Sequence, residues 1–329
     1  MAHVALAATI WRDCLGYLGK FALVALGDGA ANWVPIKSKP TTPQPTPEDI
    51  KKLVLEEDDF GHEMRVANVF AELPTKIGLG TNTYFEPLER GSSYKDPLAK
   101  KTRQPGFRFR INCTQLNTHA GVFLAVECKN LHKDFPLVVS GRNRAYDESY
   151  YHFLDGTYDD LGNVSAVVRV VAGGGHLYEQ NQFVGKNFVR IKEGNGRLEA
   201  ANDSDLFDKW TQVEASCVEL LKKAWFSVNP NIRKCRSIIL PLVAVPDGSL
   251  WMVGYNSKGE IHSGPKQIEE CEFFIGKELD AAVQPFRLSH LHFVTLKGFA
   301  QLLRRFGTLA NPFEWERYFP NASPVYSPG

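Results

Sequence analysis

The chain has 329 residues, of which 43% are hydrophobic and 23% charged, and its formal net charge is +1. Those values fit a soluble globular protein with ample core; they exclude a disordered chain and one that attracts polyanions through its overall field. Six cysteines (Cys14, Cys113, Cys128, Cys217, Cys235, Cys271) form no C-x-x-C pair, which argues against a zinc site and for a reducing, cytoplasmic compartment.

The N-terminal stretch MAHVALAATIWRDCLGYLGKFALVAL is apolar, but Arg12, Asp13 and Lys20 interrupt it before a membrane-spanning length accumulates. It reads as an amphipathic helix, with no membrane span expected. PIKSKPTTPQPTPED, residues 35–49, has no apolar periodicity and reads as a linker. The expected organisation is an N-terminal helical extension and linker over 1–50, a main domain over 51–310 with an insertion at 141–203, and a C-terminal tail over 311–329.

Thr46, Pro47, Glu48 and Asp49 give a helix start: an N-cap, a proline at the first position and acids in the first turn. A second helix is predicted over 61–73, ending before Pro74, with Val66, Val69, Phe70 and Leu73 on one face and Glu63 in its early turn. Strands are predicted at 76–86, 107–116, 121–130 and 136–140. The section 141–203 reads as loop-rich, with a Gly173-Gly174-Gly175 turn and a strand-like FVGKNFVRI; its Tyr146, Tyr150, Tyr151 and Phe153 could read bases or meet a partner. The clearest helix is 205–226, capped by Ser204, with Leu206, Trp210, Val213, Cys217, Leu220 and Ala224 at helical spacing. SIILPLVAVPDGSLWMVGY reads as a hairpin about Pro246-Asp247-Gly248, and a last helix is predicted near 295–306. The fold class is α/β (mixed α+β), with helices against a central mixed sheet.

In the strand GVFLAVECKN, alternation puts Val122, Leu124, Val126 and Cys128 on one face and Phe123, Ala125, Glu127 and Lys129 on the other. A carboxylate and an amine leaving a core strand on the same side are either an ion pair or a metal ligand beside a catalytic lysine. The preceding strand places Arg108, Arg110 and Asn112 on one face, so Asn112 could converge with Glu127 and Lys129 if the strands are neighbours. Lys100, Lys101, Arg103, Arg108, Arg110, Arg142 and Arg144 make a local basic cluster, which is either a phosphate-binding surface or a solvated face.

This order of parts resembles the PD-(D/E)XK nuclease superfamily, the restriction-endonuclease-like fold, over roughly residues 60–245. The matching pieces are a helix bearing Glu63, a strand carrying residue 112, and a hydrophobic strand ending in Glu127-Cys128-Lys129; Gln212 is a weaker match. The resemblance implies metal-dependent hydrolysis of phosphodiesters, of DNA in restriction or antiviral defence. Mg²⁺ (or Mn²⁺) would be held by residue 112, Glu127 and Glu63, with Lys129 orienting the attacking water and Arg108, Arg110, Arg142 and Arg144 meeting the nucleic acid. The family's aspartate is replaced here by Asn112, which removes a charge from the metal site. The two expectations are therefore an impaired endonuclease acting on duplex DNA, and a catalytically inactive binding or assembly subunit of a nucleic-acid-processing complex, in either case as a homo-oligomer or with a partner protein. His290 and His292 share a strand face and read as packing or surface residues, and no G-x-S-x-G supports a serine hydrolase.

Overall fold

The computed structural model describes residues 45–329 apart from 58, 81, 91–93, 96–101, 104–105, 116–117, 132–133, 159–163, 195, 202–203, 227–233, 280–283, 310–311, 321–322 and 325–329. The N-terminal helix, most of the linker, Lys100 and Lys101 lie outside the described residues. The chain divides at Pro45, and the unit Thr46–Gly329 holds all the described helices and strands.

Helix α1, Pro47–Glu57, starts where the capping chemistry places it: Thr46 Oγ1 accepts from the Asp49 amide at 3.2 Å, and Asp49 Oδ2 accepts from the Thr46 amide at 2.9 Å. Helix α2, Phe60–Lys76, runs past its expected end and contains Pro74 in its last turn. Strands β1 (Thr83–Arg90), β2 (Tyr94–Lys95), β3 (Thr102–Arg103), β4 (Phe107–Gln115), β5 (Thr118–Cys128) and β6 (Leu137–Asn143) follow.

The insertion expected to be loop-rich is mostly strand: β7 (Tyr150–Tyr158), β8 (Val164–Ala172), β9 (Phe183–Gly194) and β10 (Arg197–Ala201). VSAVVRVVA, which becomes β8, has the β-branched content that favours a pleated strand. Gly173, Gly174 and Gly175 make the turn expected of them, with φ values of 72°, 76° and 48°.

Helix α3, Ser204–Phe226, precedes β11 (Lys234–Val245), β12 (Leu250–Tyr255), β13 (Ile261–Gln267), β14 (Glu270–Leu279) and β15 (Phe286–Thr295). Helix α4 (Leu296–Gly307), capped by Thr295, helix α5 (Pro312–Glu316) and β16 (Ser323–Pro324) close the chain. Trp315, Tyr318 and Phe319 are buried in the main core, so residues 312–319 belong to the domain rather than to a tail.

The result is a mixed α/β fold about a large mixed sheet in the order β1-β4-β5-β11-β15-β14-β9-β6-β12-β13. β1, β4 and β5 form an antiparallel meander; β11 then lies parallel to β5, with α3 between them in sequence and packed on both. The first residues of β11 also pair with β7 and its last with β15, so the strand forks the sheet. β11 and β12 do turn at Gly248 (φ 86°), yet they are not a hairpin: β12 leaves to pair with β6 and β13.

Alternation on β5 is as expected. Val122, Leu124, Val126 and Cys128 face a core closed by α2, α4 and α5, while Phe123 and Ala125 face a second core closed by α3. Leu206, Val213, Cys217, Leu220, Leu221 and Ala224 of α3 fill that second core. Each fully buried aliphatic side chain there contributes about 1.5–3 kcal/mol, which locks the α3 N-terminus beside the end of β5.

Candidate functional site

The end of β5 brings together groups from three elements. Glu127 is 2% exposed, and its Oε1 accepts from the Gly106 amide at 2.8 Å. Its Oε2 lies 3.8 Å from the Lys209 ammonium of α3, which also sits 3.2 Å from Asp59 Oδ2 at the head of α2. Asp59 is fixed in turn, its Oδ1 accepting from the Asn130 amide at 2.7 Å. Lys129 does not pair with Glu127; its ammonium reaches Asp205 of α3 at 3.7 Å. Glu63, in the first turn of α2, is half-buried and close enough to act electrostatically on Glu127 and Lys209.

Burial pushes the Glu127 carboxyl up to about 7, with the Lys209 charge and the Gly106 amide opposing the shift and the Glu63 charge adding to it. Burial alone would depress the Lys209 ammonium, but Glu127, Asp59 and Glu63 outweigh it and raise its pKa. Lys209 is thus a largely buried cation shared among carboxylates.

Asn112 is not part of this group. Phe107 pairs with Val126, which puts Gly106 opposite Glu127, whereas Asn112 pairs with Gly121. Six residues of strand separate residues 106 and 112, roughly 20 Å at about 3.4 Å per residue. The strands are antiparallel neighbours as expected, but antiparallel pairing carries Asn112 toward the β4–β5 turn while Glu127 runs to the other end. There Asn112 is buried: its Oδ1 lies 2.9 Å from His119 Nε2, and its Nδ2 donates weakly to Glu86 at 3.5 Å. Burial pushes His119 down to about 4, so its Nε2–H donates to Asn112 and its Nδ1 accepts from Thr114.

The Mg²⁺ site that the resemblance implies does not fit these residues. A hard cation needs several oxygen ligands; residue 112 lies away from Glu127 and the position facing it is a glycine, which leaves Asp59 and Glu63 as the acids that share Lys209 with it. A Cβ at residue 106 would stand 2.2 Å from the Val126 carbonyl oxygen, so no acid can replace it without opening the ladder. Lys209 already supplies the positive charge to Glu127.

The four arginines expected to meet phosphate all make contacts within the fold, and Arg142 alone among them is exposed. Arg108 is 3% exposed, with its Nε on Ser216 Oγ at 2.8 Å. Arg110 pairs with Glu86 through Nε at 3.0 Å. Arg142 reaches Glu148 at 2.7 Å, and Arg144, 1% exposed, pairs with Glu272. Their spacing in sequence suggested a patch; folding turns them into separate polar contacts, and the buried Arg108 and Arg144 do not reach solvent.

A second polar group lies on β14 and β15, where ligand atoms of Glu270, Glu272 and His292 fall within 4.8 Å of one another. Arg144 pairs with Glu272 and Arg305 with Glu270 at 2.8 Å, so the charges balance without an added ion. His292 completes the group, its Nδ1 lying 3.2 Å from Glu270 and its Nε2 2.9 Å from the Tyr178 hydroxyl. His292 therefore does more than pack, although it shares the strand face expected of it.

An open cavity of about 760 Å³ lies between α3, β9 and β14, walled mainly by aromatic rings including Phe188, Trp210 and Phe273. Nothing in the local sequence marks it, because its rings come from three distant segments. Lys209, Asp59 and Asp205 were missed for the same reason. Gly106 was within reach of register counting back from Glu127, but that needs the length of the β4–β5 turn.

No family model, no curated protein and no solved structure matches the chain. Among the described residues, no helix is long and apolar enough to cross a membrane.

Proposed function

We propose that the chain is a non-cleaving binding or assembly subunit built on a nuclease-like sheet. The helix–meander–helix–parallel-strand order and the E-x-K pair at the end of β5 support the nuclease-like part of this reading. The observation that carries the non-cleaving part is the pairing of Glu127 with the Lys209 ammonium and, across the ladder, with a glycine where the resemblance implies a second acid. An ammonium cannot lower the pKa of a bound water as a divalent ion does, so a Glu127 held by Lys209 favours binding over hydrolysis.

The test is incubation of the protein with Mg²⁺ or Mn²⁺ and duplex DNA, single-stranded DNA or RNA. No cleavage is expected. Cleavage that Glu127→Gln abolishes would instead establish the endonuclease. That second reading has one observation in its favour: Asp59, Glu63 and Glu127 gather around Lys209, an acidic set that could take a cation if the ammonium were absent. Lys209→Ala in the same assay tests it, since metal-dependent cleavage by that variant alone would mark Lys209 as the block.

A further inference from the structure

We infer that the cavity between α3, β9 and β14 is a binding site for a nucleobase-type heteroaromatic ring. The inference does not depend on the nuclease-like reading, since none of its residues belongs to the Glu127 group. At about 760 Å³ the cavity falls in the range of small-molecule sites and has room for a nucleoside.

The lining decides the chemical class. Phe188, Phe207, Trp210, Phe273 and Phe274 supply five rings, whereas Ile275 is the one aliphatic side chain among the described residues of the lining. An acyl chain would be served by Leu, Ile and Val; a planar π-system is served by rings. Trp210 stands at the centre, 5.7 Å from Phe207, 6.0 Å from Phe188 and 5.4 Å from Phe273 between ring centroids, at angles of 50°, 48° and 74°. Rings so inclined leave faces and edges for a further ring to meet in offset or edge-on contact. The indole N–H donates to Glu214 at 2.5 Å, so Trp210 has its polar partner and offers hydrocarbon surface.

Phe207 is 56% exposed at the rim, a large apolar ring left in water beside a cavity. Closing a ligand beneath it would remove that exposure.

The polar groups suit the edge of a base. Asn187 brings an amide, which both donates and accepts, and Asp208 brings a carboxylate acceptor for an amino or imino hydrogen. The Lys186 ammonium is held by Glu148, which also pairs with Arg142, and lies 4.3 Å from the centroid of the Phe274 ring; it is the one cation of the lining among the described residues. Among the described residues the lining thus holds no cation cluster that would make a phosphate the main determinant, and recognition falls to the ring.

Such a ring could come from a free nucleoside or nucleotide, or from an unstacked base in a single strand. Calorimetric titration of the full chain with adenosine, AMP, uridine, UMP and a short single-stranded oligonucleotide distinguishes them. Saturable binding is expected. Tighter binding of the oligonucleotide assigns a strand, and equal or tighter binding of the monomers assigns a free ligand. Phe207→Ala should weaken binding about tenfold, the loss typical of removing one stacking ring. Asn187→Ala should alter the preference between purine and pyrimidine. Both side chains are exposed, so both variants should keep the parent's melting temperature. Absence of saturation with every probe, or an affinity unchanged in Phe207→Ala, would overturn the assignment. So would self-association abolished by Phe207→Ala without any ligand bound, which would give the face to a second copy of the chain.

Discussion

Gly106 stands opposite Glu127 across the β4–β5 ladder, and its amide donates to the buried carboxylate at 2.8 Å. Backbone and side chain are closed on each other here. The resemblance implies a second acid across the ladder from this carboxylate to share a metal ion with it. Any side chain at residue 106 would bring its Cβ to 2.2 Å from the Val126 oxygen, which leaves no room for one.

Substituting Asn112 with aspartate should therefore not create a nuclease. The new carboxylate would lie roughly 20 Å along the strand from Glu127, too far for one ion to touch both. It would replace the amide that accepts from His119 and add a charge near Glu86. The expected result is no cleavage of plasmid or linear duplex with Mg²⁺ or Mn²⁺ and a loss of stability of about 1–3 kcal/mol from disturbing a buried hydrogen-bonded group. Metal-dependent cutting by Asn112→Asp would show that the register argument fails.

The Glu127 carboxyl gives a pH signature. Its pKa is raised in the folded state, to about 7 from an ordinary 4.5, so its contribution to stability is fully present below 4.5 and is lost as pH rises through about 7. Glu127→Gln has no such loss. Its stability relative to the parent should therefore improve by roughly 2–3 kcal/mol between pH 5 and pH 8, at 1.36 kcal/mol per pKa unit. His62, His119 and His152 act in the opposite sense in both proteins. Each is pushed down to about 4 by burial, so stability present above 6.5 is lost as pH falls toward 4. Denaturant unfolding of the two proteins across this range isolates the Glu127 contribution, and parallel curves would rule out the raised carboxyl.

The buried arginines should act on stability and leave nucleic-acid affinity alone. Arg144→Ala removes the partner of Glu272 and a donor to the Glu179 carbonyl, and breaking a buried pair costs about 3–5 kcal/mol. Arg142→Gln touches a half-exposed pair and should cost less than about 1 kcal/mol. Neither should change the salt dependence of any duplex binding. A fall of about 0.9 in that slope on Arg142→Gln would return the residue to a phosphate contact.

Periodicity carried much of the fold. The helical stripe from Leu206 to Ala224 and the alternation on β4 and β5 are local patterns, and each faces the core it was expected to face. Local signals failed where pairing is long-range. Pro246-Asp247-Gly248 does mark a turn, but a turn does not oblige its flanking strands to pair, and β6 and β13 claim β12 instead. Face without register misplaced Asn112: residue 106, just before β4, and residue 112 are an even number of positions apart, and period-two reasoning alone cannot choose between them. A window of net charge counts cations without the acids that fold against them, here Glu86, Glu148 and Glu272. Lys209 could not be found at all, since its meeting with Glu127 depends on how α3 crosses the sheet.

His290 is 1% exposed, with neither ring nitrogen hydrogen-bonded among the described residues. Its ring stacks on Tyr178 with centroids 3.9 Å apart and meets the edge-on ring of Phe274 at 5.5 Å. Burial drives its pKa well below the ordinary value, so it is a neutral imidazole doing an aromatic residue's packing while leaving its nitrogens desolvated. His290→Phe keeps both ring contacts and removes those nitrogens, and should stabilise the protein by about 1–3 kcal/mol at neutral pH, the cost of an unsatisfied buried polar group. It should also flatten the acid limb of the stability curve, because one buried neutral histidine no longer has to charge on unfolding. The void beside the ring, about 10 Å³, is at the lower limit for a single water molecule. Thermal and denaturant unfolding of His290→Phe decides the matter: a loss of stability would mean that a bound water satisfies the imidazole and that its nitrogens are partnered after all.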